Sequence, residues 1–77
     1  MKRFGEKIRT LRQQHGLTQL EMSNALNIDR THLSDLERGK KLPHGIMILK
    51  FVEFFDVTPN DLMLDDIDLF SQGEHYE

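Results

Sequence analysis

Two kinds of side chain in this sequence could do chemistry, imidazoles and cations. Histidine stands at positions 15, 32, 44 and 75, and cysteine is absent. No pair of histidines has metal-ligand spacing, no glycine-rich phosphate loop is present, and no nucleophile stands beside a base. Catalysis, a metal and a cofactor are therefore not expected, and without cysteine there are no disulfides, thiolate zinc sites or iron–sulfur clusters. The cations are grouped: one cluster runs from Lys2 to Arg12, and a second joins Arg38, Lys40 and Lys41. Such grouping creates a local positive field that attracts phosphate, although an ordinary solvated surface has the same signature. The net charge of -3 argues against a polyanionic partner only if charge is evenly spread. It is not. Residues 1–64 carry all ten Lys and Arg against eight acids, whereas residues 65–77 carry five acids and no Lys or Arg.

These side chains need a scaffold, and 77 residues allow one domain with one small core. With 38% hydrophobic and 30% charged residues the chain is too apolar for a disordered protein. No apolar run approaches the ~18 residues of a membrane span, and the amino terminus has no apolar stretch behind its charges. A cytoplasmic globular domain is expected, stabilised by close helix packing or by a partner chain.

Helix grammar accounts for nearly the whole sequence. Phe4, Ile8 and Leu11 recur at i, i+4, i+7, predicting a helix from about Lys2 to His15, with His15 capping its end and Gly16 taking the left-handed turn. Thr18 and Glu21 form a capping-box pattern, with Leu17 placed to staple onto Met22, so a second helix runs from Gln19 to about Leu26. Asn27 tolerates positive φ, Asp29 offers a new N-cap, and Ile28 can staple onto Leu33, which starts a third helix at Arg30. That helix ends near Arg38 at Gly39, and Lys40 to Pro43 form an extended basic linker. A fourth helix, Gly45 to Phe55, is apolar over more of its circumference than one core needs. His44 and Gly45 replace a strong cap there, so it starts weakly. Thr58, Pro59 and Asp61 then open a short fifth helix, with Val57 stapled to Leu62. The expected architecture is all-α: five helices over residues 1–64, with helices two and three as a helix-turn-helix, followed by an acidic tail, residues 65–77. The tail is either partly disordered or docked at a dimer interface through Ile67, Leu69 and Phe70.

Two short helices joined by Asn27-Ile28-Asp29 have the geometry that braces one helix as it lies in a groove of DNA. The residues Leu17-Thr18-Gln19, Glu21-Met22-Ser23, Ile28, Leu33-Ser34, Leu36-Glu37-Arg38-Gly39-Lys40 and Pro43 resemble the lambda-repressor-like helix-turn-helix domains, the Cro and XRE group. The stretch Asp29 to Arg38 is further similar to recognition helices of small regulators, including restriction–modification controller proteins. The match extends from Phe4 to Leu64. Asn27 stands where the group usually has Gly, and Ser23 where it has Ala, so the Ser23 hydroxyl needs a carbonyl partner one turn back.

With about 100° per residue and with Leu33 and Leu36 inward, Thr31, Ser34, Asp35 and Arg38 face outward and Arg30 leads. The resemblance implies that this end enters the major groove, making Arg30, Thr31 and Asp35 base readers, helped by an exposed His32 and by Ser34. Arg suits O6 and N7 of guanine, and Asp can accept from the N4 amine of cytosine. The plain alternatives are a surface ion pair for Arg30 and a merely solvated carboxylate for Asp35. Gln19, at a helix start, is implied as a phosphate contact, and Arg38, Lys40, Lys41 and His44 are read the same way. Gly45 either admits a phosphate close to its amide or is a plain loop glycine. The resemblance also implies an internal salt bridge between Arg12 and Glu37, which assigns Arg12 to the scaffold.

The resulting expectation is a sequence-specific regulator of transcription, simplest as a repressor. It binds double-stranded DNA as a homodimer on an inverted repeat, with recognition helices ~34 Å apart and no small-molecule effector. The dimer patch is expected on helix five and surplus apolar residues of helix four. The rival is a protein-interaction module, antitoxin-like, holding its partner through Ile46, Phe51 and Phe54. The tail could also cover the basic face as a mimic of DNA.

Overall fold

Two threonines set the frame of the fold. In the computed structural model, which describes residues 3–65, Thr18 accepts from the Glu21 amide at 3.1 Å and Glu21 Oε1 accepts from the Thr18 amide at 2.9 Å. Thr58 and Asp61 repeat the arrangement at 3.2 and 2.9 Å. Each reciprocal pair satisfies two amides that a helix start leaves without intrahelical partners. The Glu21 carboxyl is held below its ordinary value near 4.5, first by the Thr18 backbone N–H and then by its hydroxyl.

Five helices result among the described residues: α1 Phe4–Gln14, α2 Gln19–Leu26, α3 Arg30–Glu37, α4 Gly45–Phe55 and α5 Pro59–Met63. The stops are equally local. Gly16, Asn27, Gly39 and Asp56 adopt positive φ, at 69°, 55°, 76° and 55°, so the chain turns left-handed after α1 to α4 as a helix end favours. Ser23 donates to the Leu20 carbonyl at 2.8 Å, the partner its buried hydroxyl requires. One cap departs from expectation. Asp29 has the extended backbone of an N-cap, but its side chain makes no capping hydrogen bond. His44 likewise gives α4 no side-chain cap.

The apolar stripes converge on one core: Phe4, Ile8 and Leu11 from α1, Met22 and Leu26 from α2, Leu33 and Leu36 from α3, Met47, Phe51 and Phe55 from α4, then Val57 and Leu62. Phe51 is fully buried, edge-on to Phe4 at 5.7 Å and stacked on Phe55 at 6.3 Å. This removes Phe51 from the partner-contact patch expected on α4, because its ring faces the core. Ile46 and Leu49 keep 67% and 54% of their surface exposed, so the apolar surplus of α4 does face outward.

Three contacts lock the layers. A Cβ on Gly5 would stand 2.3 Å from the Leu36 carbonyl oxygen and 2.6 Å from that of Glu37, so α1 and α3 cross backbone to backbone at this glycine. Lys50 donates to the Leu26 carbonyl at 3.0 Å, closing the end of α2 from α4. His15 places Nδ1 2.9 Å from the Leu11 carbonyl while its ring packs 5.1 Å from Phe55 and 6.4 Å from Phe54. The expectations for residues 66–77, and for Lys2, lie outside the described residues.

Candidate nucleic-acid interface

Because Leu33, Leu36 and Glu37 turn into the protein, the opposite face of α3 is left outward, a direct result of the helical period. Asn27, at φ 55° and ψ 51°, supplies the left-handed corner that sets α3 against α2. On the outward face Gln19, Arg30, Thr31, Ser34 and Arg38 line one shallow depression of about 210 Å³. Arg30 also borders a wider hollow with Arg12, Thr18, Gln19 and Leu20. Arg30 and Thr31 are exposed. Among the described residues the side chain of Arg30 has no hydrogen-bond or ion-pair partner, and the same holds for Lys40 and Lys41.

The other residues singled out by sequence sit less uniformly. Arg38 donates through Nε and Nη2 to the Ser34 hydroxyl oxygen, at 3.3 and 3.1 Å, which lays its guanidinium along the outer face of α3. His32 and Asp35 are half-buried and lie outside the depression. The expectation of an exposed His32 is thus corrected: it falls on the flank of α3, about 100° from Thr31. Lys40, Lys41 and His44 are exposed, and Lys41 lines a separate hollow with Phe4, Gly5, Leu36, Gly39, Leu42 and Pro43.

Behind the face lies a charged brace. Arg12 donates from Nε to Glu37 Oε2 at 2.7 Å and from Nη2 to Oε1 at 3.1 Å, with side-chain exposures of 12% and 2%. Its Nη1 donates to the Leu17 carbonyl at 2.8 Å, and Gln19 Nε2 donates to Glu37 Oε1 at 3.1 Å. A two-pronged pair of this kind carries both charge and orientation.

Part of the cluster from Lys2 to Arg12 is engaged by the fold itself, whereas Arg9 is exposed and Lys2 lies outside the described residues. Lys7 is 1% exposed, and its Nζ donates to the carbonyls of Asp61 and Leu64 at 2.6 and 2.5 Å, capping the end of α5. Arg3 donates from its backbone N–H to Asp65 Oδ1 at 2.8 Å and from Nη1 to the Asp65 carbonyl at 2.6 Å. Together with Arg12, Lys7 and Arg3 are thus engaged by contacts within the protein, Lys7 fully buried and Arg3 at the margin. A signal for Lys7 existed: positions 4, 7, 8 and 11 complete one helical stripe, so Lys7 falls on the apolar face of α1.

Comparison with known proteins agrees with this geometry. The Helix-turn-helix family model matches residues 8–62, and the chain belongs to this family of DNA-binding transcriptional regulators. It is 32% identical over 72 residues to the ImmF control region 10 kDa protein of Bacillus phage phi105, covering 94% of this chain and 80% of that one. It is 30% identical over 59 residues to the uncharacterized HTH-type transcriptional regulator YazB of Bacillus subtilis, covering 77% and 86%. It is also 35% identical over 60 residues to the HTH-type transcriptional activator BcrR of Enterococcus faecalis, covering 78% of this chain but 29% of that one. No solved structure matches at the same stringency. No helix among the described residues is long and apolar enough to cross a membrane.

Proposed function

We propose that this protein is a sequence-specific repressor that binds an inverted-repeat operator in double-stranded DNA as a homodimer, with α3 in the major groove. The observation that carries this reading is the depression shared by Gln19, Arg30, Thr31, Ser34 and Arg38, in which the Arg30 guanidinium has no partner among the described residues. A free Arg at the start of a recognition helix can give two hydrogen bonds to guanine O6 and N7, which discriminates by ~1 to 3 kcal/mol. Thr31 and Ser34 reach neighbouring base edges, and His32 and Asp35 act at the half-buried margin. Gln19, Arg38, Lys40, Lys41 and His44 hold phosphates and set strength without choosing sequence. The second copy docks on α5 and the exposed Ile46 and Leu49 of α4, since one recognition helix contacts too few base pairs for useful affinity. Blocking polymerase at an occupied operator then represses; no catalytic step, cofactor or small-molecule effector is needed.

The test is selection of bound sites from a random duplex pool at about 0.15 M salt, run on wild type and Arg30→Ala. An enriched inverted repeat that relaxes in the variant is the expected result. Weak, salt-sensitive binding by both proteins with no enrichment overturns the operator reading in favour of a partner-holding module, for which the exposed Ile46 and Phe54 would be the contact surface.

A further inference from the structure

We infer that Glu37 is a positioning residue for the phosphate contact of Gln19, an inference that rests on the reading of α2 and α3 as the DNA-binding face. The Glu37 carboxylate is nearly sealed from solvent and accepts three N–H groups, two from Arg12 and one from Gln19. A carboxylate only accepts, so it fixes which end of the Gln19 amide turns inward. One amide hydrogen of Gln19 is thereby held against Glu37, and the second is aimed away from it. Gln19 sits at the start of α2 and borders the depression on the outer face. Its side chain has three rotatable bonds, and ordering them would otherwise oppose binding.

The brace also solves an electrostatic problem. A bare carboxylate behind Gln19 would repel an approaching phosphate, but the Arg12 guanidinium at 2.7 Å neutralises it. Arg12 in turn holds the Leu17 carbonyl, immediately before the Thr18 cap. One carboxylate on α3 thus aligns the first turn of α2 with α1 and α3 together. The family resemblance implies only a salt bridge for Glu37; the geometry makes it also the support of the Gln19 side chain.

The experiment uses the full chain and the duplex enriched by selection, with single backbone phosphates replaced in turn by neutral methylphosphonate. Binding is measured for wild type, Gln19→Ala, Glu37→Gln and Glu37→Asp. Glu37→Asp keeps the charge for Arg12 but withdraws the acceptor from Gln19, and thermal melting establishes that each variant folds. Wild type should lose roughly tenfold at one phosphate per half-site, as expected for a hydrogen bond to a charged group. Gln19→Ala should be indifferent to that substitution. Glu37→Asp, and Glu37→Gln where it folds, should be indifferent at the same phosphate although Gln19 is intact, while sensitivity at phosphates facing Lys40 and Lys41 persists. If the Glu37 variants keep the Gln19-dependent sensitivity, or lose affinity evenly at all phosphates, the positioning role is overturned. If wild type binds its operator with no phosphate depending on Gln19, this inference fails and the operator reading stands. Failure to enrich any duplex removes both.

Discussion

Arg12 and Arg30 carry the same guanidinium, and their surroundings give them opposite tasks. Arg12 is held by Glu37 and the Leu17 carbonyl, so removing it strands a buried carboxylate. Arg12→Ala should lower stability by about 3 to 5 kcal/mol, measured by urea unfolding. Arg30 has no internal partner among the described residues, so Arg30→Ala should leave stability within about 0.5 kcal/mol and act on the choice of operator alone. A variant of Arg30 that melted as early as Arg12→Ala would show that its freedom is misread. The two helical glycines divide in the same way. Gly5→Ala places a methyl group 2.3 Å from a carbonyl oxygen of α3, and neither backbone can yield without moving a helix, so a loss of about 2 to 3 kcal/mol follows. Gly45→Ala meets no atom within 4 Å and should instead stabilise by roughly 0.5 to 1 kcal/mol. Thermal melts of the pair should therefore move in opposite directions.

At the scale of elements, starts and stops were legible because they depend on residues three or four apart. The capping pattern at Thr18 and Glu21 and its repeat at Thr58 and Asp61 were readable before any contact was known, and both form. Asp29 fails as a side-chain cap although its type is right, since type permits a hydrogen bond without compelling the rotamer. Periodicity identified the buried face of α1, yet only the docked helices reveal what that face meets. Gly5 became a crossing point and Lys7 a cap for α5 through partners more than thirty residues away in the chain. The outward face of α3 was legible for Arg30 and Thr31, whereas the bond from Gln19 to Glu37 depends on how two helices pack. The Thr18 box also makes α2 sensitive to acid. The folded-state value of Glu21 lies below its unfolded value near 4.5, so its contribution is present above that pH and is lost as pH falls through the lowered value. Melting temperature should fall as pH is lowered below about 4.5, and Glu21→Gln should flatten that decline; an unchanged slope would show that the box adds no pH-dependent stability.

For the whole molecule, the exposed apolar residues of α4 bear on assembly. Ile46→Asp puts a charge where 67% of the side chain is already in water, so the monomer's own stability should hold to within about 0.5 kcal/mol. If α4 carries the dimer contact, sedimentation should show a lighter species, and operator occupancy should rise more steeply with protein concentration. An unchanged mass would move the interface away from Ile46. Salt separates strength from choice at this scale: each phosphate left without its cation should reduce the slope of log affinity against log salt by roughly 0.9, so Lys40→Ala should flatten it without altering the preferred site. One last property follows from the paired hydrogen bonds between Arg3 and Asp65. They hold the residue before α1 against the segment that follows α5, so the five-helix bundle begins and ends side by side. A unit that enters and leaves through one doorway can be spliced into a loop of another protein, or re-cut into a circular permutant, with little change in its internal geometry.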